Sequence, residues 1–139
     1  CMAANLSGEA ISISKTTAPH AFSYPFTAIY NISHGHAVSL TLNKFLRFNY
    51  DNFQLADCNF DLQNRYQIIF DTTKTSNISD LNNFLSKLKK EANLENDFKK
   101  LGIDIEKDYE NIISGVNILR LSNNPIKLEK QDLKKIILS

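Results

Sequence analysis

The chain has 139 residues, enough for one domain with a buried core, and its 42% hydrophobic and 22% charged residues are ordinary for a globular protein. A formal net charge of +1 removes any bulk attraction for nucleic acid or an anionic membrane, so neither is expected as a partner. With 3 prolines, 4 glycines and 2 cysteines (Cys1 and Cys58), the composition also excludes a flexible linker, a collagen-like repeat and a disulfide framework.

No stretch approaches the ~18–20 apolar residues of a membrane span. The N-terminus lacks the basic-then-apolar order of a signal peptide, and a reduced, cytoplasmic setting is the expectation. The chain opens Cys1-Met2-Ala3-Ala4-Asn5-Leu6, already inside a helical pattern, which suggests a segment of a longer protein. Residues 1–13 read as a helix carrying Met2, Leu6, Ala10 and Ile13. Lys15 to Pro19 is a polar break, with Pro19 suited to the start of the next helix. His20 to Tyr30 is apolar and aromatic, and Asn31 to Ser33 interrupts it.

From His34 to Asn49 apolar residues lie on nearly all sides of a helix, the pattern of an element buried in the centre of a domain. Asp51 to Asn59 reads as a connecting loop. Leu62, Tyr66, Ile69 and Phe70 share a helix face. Thr72 to Ser79 is turn-like, and Ser79 is a candidate N-cap for a helix bearing Leu81, Phe84, Leu85 and Leu88. Leu94, Phe98 and Leu101 predict a short helix ended by Gly102. Asp104 is the candidate cap of another, with Ile105, Tyr109, Ile112, Ile113 and Val116 inward. Asn123-Asn124-Pro125 is a turn, and Leu133, Ile136 and Ile137 mark a last helix. No stretch alternates with period two, so the fold class is mainly α. The lysine clusters are interleaved with acids and read as solvated helix faces.

All three histidines, His20, His34 and His36, fall within seventeen residues. Neutral imidazole binds first-row divalent metals well, and two such ligands with others from elsewhere suit a catalytic site. The starts of the two helices are separated by a helix of about ten residues, roughly 15 Å long. They meet only if the linker doubles back, or if the helices pack with both imidazoles toward one cavity. On spacing alone, capping or packing is the commoner role of a histidine near a helix start.

The run Lys15-Thr16-Thr17-Ala18-Pro19-His20-Ala21-Phe22-Ser23-Tyr24, followed by His34-Gly35-His36-Ala37-Val38, resembles the iron-containing alcohol dehydrogenase family. The resemblance is strong over residues 3–50 and extends to Asn123-Asn124-Pro125 and the last helix; between 51 and 115 it is one of helical character only. It implies that residues 1–139 form the multi-helix C-terminal domain of the dehydroquinate synthase-like, iron-containing alcohol dehydrogenase fold. It implies His20 and His34 as ligands of Fe2+ or Zn2+, with NAD(P)H bound mainly by an upstream nucleotide-binding domain. The wording of the motif is most similar to the branch that reduces phosphonoacetaldehyde to 2-hydroxyethylphosphonate. The implied reaction is reduction of an aldehyde to an alcohol, with the metal as Lewis acid and the nicotinamide as hydride donor.

Other roles follow from the same resemblance. Tyr24 stands where many members have a third histidine, and is expected to line the substrate pocket or to pack as an aromatic. His36 is a candidate proton relay, with packing as its alternative. Lys15, Thr16 and Thr17 are candidates for substrate contact, with helix capping as theirs; Asn123 and Asn124 could approach from the C-terminal turn. The family's other two metal ligands and its glycine-rich turn have no counterpart among these residues. The chain alone is therefore expected neither to bind NAD(P) nor to turn over substrate, and the nucleotide-binding domain is its expected partner. Self-association into a homodimer is a further expectation. Dehydroquinate synthase and glycerol dehydrogenase share the His…His-Gly arrangement but usually carry an acidic residue at the position of His36. A non-catalytic helical remnant or interaction module is the third reading.

Overall fold

The computed structural model describes residues 2–138; Cys1, the first residue of the expected N-terminal helix, lies outside them. The elements are α1 (Met2–Ile13), α2 (Ala18–Tyr30), α3 (His34–Asp51), a 3-10 turn (Phe53–Leu55), α4 (Leu62–Thr73), α5 (Ile78–Glu91), α6 (Ile105–Ser114), α7 (Ile118–Leu121) and α8 (Lys130–Leu138). No strand occurs among the described residues, and none of the helices is long and apolar enough to cross a membrane.

Helix starts follow local hydrogen-bond chemistry. The carboxylate of Asp61 accepts the N–H of Asn64 at 3.0 Å, and that of Asp104 accepts the N–H of Lys107 at 3.1 Å, so both occupy N-caps. The cap of α5 is Asn77 rather than the expected Ser79. Its Oδ1 accepts the N–H groups of Ser79 and Asp80 at 2.9 and 3.0 Å, which moves the start two residues upstream and buries Ile78.

The short helix expected around Leu94–Leu101 is a series of turns instead. Glu95 accepts the N–H groups of Asn96 and Asp97, and Asp97 accepts that of Lys99. These side chains capture donors that a helix would need. The predicted terminator is nonetheless present. Gly102 has φ +75, and Ile103 N–H reaches the Phe98 carbonyl at 2.8 Å.

Two apolar clusters make the interior, and α3 lies between them. One gathers Phe22, Phe26, Leu40, Phe45, Ile112 and Ile137 with their neighbours. The other gathers Leu62, Tyr66, Phe70, Ile78 and Leu81, with Leu46 and Tyr50 of α3 packed on it. An element serving two clusters needs apolar residues on two faces, which is why α3 reads as apolar around its girth. Helix α1 does form over the expected residues, but none of its side chains is buried, and Met2 and Ile13 are 80% and 89% exposed.

Candidate metal centre

The site begins with the turn between α2 and α3. Asn31 takes the left-handed conformation, φ 54 and ψ 32, and its N–H returns to the helix carbonyls. Ser33 is extended, with ψ 142, so the three-residue link runs back along α2 before α3 begins. The doubling back brings His34 to the level of Ser23 and Tyr24. The imidazoles of His20 and His34 lie edge to face, 5.5 Å between ring centroids, and the Tyr24 ring is 6.3 Å from that of His34.

Ser23 determines which nitrogen of His34 is free. Its Oγ donates to the His20 carbonyl at 2.7 Å and lies 3.2 Å from His34 Nδ1. The hydroxyl has one proton, committed to the shorter bond, so toward His34 the oxygen accepts. In the neutral ring Nδ1 then carries the hydrogen and Nε2 keeps a lone pair facing away from Ser23. A metal-binding histidine is commonly oriented through its second nitrogen in this way. His20 has no hydrogen-bond partner for its ring among the described residues. Burial pulls its pKa below the ordinary value, and the neighbouring His34 and Arg120 push it the same way. Each effect favours the neutral ring, the form that ligates.

The donor set fits a divalent metal. Two imidazoles at this separation, each binding in its neutral form, can reach a common ion through bonds of about 2.0–2.1 Å. They do not complete a coordination sphere: no group of three or more His, Cys, Asp or Glu side chains able to hold an ion is found among the described residues.

The other expected residues are distributed around this pair. His36 points to α5's C-terminal side, where its Nε2 donates to the Glu95 carbonyl at 2.6 Å. Lys15 is exposed ahead of α2. Thr17 occupies the N-cap position of α2 without a side-chain cap, while its carbonyl receives the N–H groups of His20 and Ala21, both at 3.1 Å. Thr16 is held from two sides: its Oγ1 receives Arg120 Nη1, and its carbonyl receives Asn123 Nδ2 at 3.1 Å. Asn124 turns inward and exchanges hydrogen bonds with Asn49 at 3.1 and 2.9 Å, a buried structural pair.

Arg120 is the site residue that sequence reading did not identify. It arrives through a chain of local causes. Pro25 lies inside α2 and has no N–H, so the carbonyl four residues earlier, that of Ala21, lacks its helical donor. Asn117 N–H takes that carbonyl at 3.4 Å, and the Asn117 side chain caps Arg120 N–H at 3.0 Å. Helix α7 is thereby docked on α2, and the Arg120 guanidinium lies over the Tyr24 ring, 5.7 Å from its centroid. A cavity of about 500 Å³ lined by Ile113, Val116, Leu121, Leu128 and Leu133 contains none of the histidines.

Residues 1–139 match the profile of the Fe-containing alcohol dehydrogenase family, C-terminal part. A phosphonoacetaldehyde reductase of Streptomyces viridochromogenes is 46% identical over 48 residues. That match spans 34% of this chain and 12% of the relative's length.

Proposed function

The chain belongs to the Fe-containing alcohol dehydrogenase family, and from that premise we propose that it forms the metal-holding half of an NAD(P)H-dependent aldehyde reductase. His20 and His34 supply two ligands to Fe2+ or Zn2+, and the remaining ligands and the nucleotide site belong to an upstream domain. The observation that carries this reading is the imidazole pair, 5.5 Å apart, with His34 oriented through Ser23. Phosphonoacetaldehyde, reduced to 2-hydroxyethylphosphonate, is the proposed substrate; the partial likeness to the Streptomyces reductase supports it.

When bound, the metal supplies Lewis-acid polarisation of the aldehyde oxygen and the nicotinamide supplies hydride. The chain's own residues position and shield. Ser23 holds the His34 ring with Nε2 free. The Tyr24 ring forms one wall beside both His34 and Arg120. Thr16 and Thr17 shape the approach to α2, and Lys15, exposed ahead of that helix, adds positive charge there. His36 anchors the start of α3 to the Glu95 carbonyl, the packing alternative to a proton relay. The apolar side chains of α1 offer a surface that an upstream domain would cover.

The test uses the full-length protein that carries this chain. Metal content and NAD(P)H-dependent reduction of phosphonoacetaldehyde are measured for wild type, His20→Ala and His34→Ala. Wild type is expected to hold one catalytic metal per chain, and each variant to lose both metal and reduction. Metal retained at wild-type level in both variants would remove the histidine assignment.

A further inference from the structure

Arg120 is an arginine held in place without an acidic partner. The ion pairs Arg47–Asp51, Lys87–Glu91 and Lys100–Glu95 do not involve it. A guanidinium offers five N–H donors in a planar fork. One hydrogen bond, to Thr16 Oγ1, is made by its side chain, and the rest of the fork has no acceptor among the described residues. The residue is half-buried.

Its position is fixed from several directions. The Asn117 cap and the Ala21 carbonyl hold its backbone against α2. The Tyr24 ring lies under the guanidinium, and Asn123 pins the Thr16 carbonyl beside it. The same Tyr24 ring lies 6.3 Å from the His34 ring, centroid to centroid. Cation and ligand pair therefore share one aromatic wall. Planar, bidentate recognition of phosphate-like oxygens is what a preorganised arginine does best.

We infer that Arg120 determines the specificity of the site, receiving the dianionic phosphonate of a short aldehyde whose carbonyl lies at the His20–His34 pair. The inference rests on the aldehyde reductase reading above and assigns that reading's anionic substrate its receptor. In the reaction, hydride from reduced nicotinamide forms the new C–H bond at the carbonyl carbon. The C=O π bond breaks, and its oxygen gains a proton from solvent. The nicotinamide is oxidised, the aldehyde is reduced, and the C–P bond is untouched. Arg120 takes no proton; it binds and orients.

The experiment compares phosphonoacetaldehyde with propanal, a neutral aldehyde of similar size, on metal-loaded full-length enzyme. Arg120→Ala is expected to lower the ratio of the two kcat/KM values about 10–100-fold, as loss of a charge-assisted hydrogen bond does, chiefly through KM for the phosphonate. Arg120→Lys is expected to restore part of the ratio. Calorimetric affinity for 2-hydroxyethylphosphonate should fall in parallel in Arg120→Ala. Raising the salt concentration should lower kcat/KM for phosphonoacetaldehyde more than for propanal in wild type, a reading that holds even if a variant misfolds. An unchanged ratio in Arg120→Ala overturns the inference, as does a wild-type ratio insensitive to salt. A rise confined to the KM for NADPH overturns it too, by making Arg120 a contact of the nucleotide phosphate. A wild type that reduces propanal without preferring the phosphonate removes the inference and leaves the reductase reading intact. A wild type that holds metal and nucleotide but reduces neither aldehyde removes the reductase reading, and the product-binding calorimetry then decides Arg120 separately.

Discussion

Replacing Ser23 by alanine separates the orientation of the proposed ligand His34 from the ligand itself. Ser23 is fully buried, and its Oγ links the His20 carbonyl to His34 Nδ1. Its removal leaves no cavity larger than an oxygen atom. His34 is exposed, so its Nδ1–H can find water, and the cost to folding should be near that of one ordinary hydrogen bond, about 1 kcal/mol. The cost to metal binding should be larger. Without the serine acceptor, the His34 ring can exchange tautomers and rotate, and part of the population presents Nε2–H instead of a lone pair. Loss of such an orienting partner typically costs about 10–100-fold in metal affinity. That range corresponds to about 1.4–2.8 kcal/mol. Affinity is measured by competition with a chromophoric chelator on the full-length protein, and stability by urea denaturation of the same samples. Nitrogen NMR of the metal-free protein reports the tautomer directly: Nδ1–H in wild type, a mixture in Ser23→Ala. Wild-type metal affinity in Ser23→Ala, in a protein where His34→Ala loses the metal, would refute the reasoning.

Three further predictions concern the frame that carries the site. A Cβ built on Gly115 would lie 3.0 Å from Pro25 Cβ, a ring that cannot turn aside, so Gly115→Ala should destabilise by about 1–3 kcal/mol in urea, and a neutral or stabilising effect would contradict the packing. Phe22 is fully buried and stacks on Phe45 at 5.4 Å; Phe22→Ala should cost about 3–5 kcal/mol and lower the thermal midpoint correspondingly. Burial and the hydrogen bond to Asp108 raise the Tyr30 pKa from 10 to about 12. A raised folded-state value means that its contribution to stability is complete below pH 10 and is lost as the pH climbs from 10 through 12. Tyr30→Phe should therefore show a shallower alkaline loss of stability than wild type, with a residual slope from Tyr66 and Tyr109, whose pKa values are also raised by burial. Equal slopes would contradict the Tyr30 assignment.

Much of this architecture is legible in the residues. Asp61 lies just ahead of its helix face and Asp104 reads as a cap, each with a carboxylate at capping distance, and the apolar girth of α3 reflects its place between two clusters. Gly102 reads correctly as a left-handed terminator, although the preceding residues do not build the helix, because Glu95 and Asp97 consume the backbone donors that such a helix needs. Ser79 and Asn77 are both plausible caps by type, and it is Asn77 whose side chain takes the N–H groups of Ser79 and Asp80, with Ile78 buried between the two candidates. The pairing of His20 with His34 depends on the left-handed Asn31 and the extended Ser33, conformations that residue types permit without dictating.

Arg120 is where local reading ends. It is about a hundred residues from the motif it joins, on a four-residue helix with no apolar period long enough to notice. Its position depends on the carbonyl that Pro25 releases and on which distant N–H takes it. The proline itself is visible as a break in the helical hydrogen bonding of α2. The identity of the donor is a tertiary fact.

The most direct test of the central claim is X-ray absorption at the zinc edge on full-length protein reconstituted with Zn2+, for wild type, His20→Ala and His34→Ala. Imidazole nitrogens coordinated at about 2.0–2.1 Å produce outer-shell scattering that counts the rings. The account predicts that each substitution removes one imidazole from the wild-type shell, or removes the bound zinc altogether. An unchanged imidazole shell in both variants would show that the metal is held elsewhere and that the His20–His34 pair is structural.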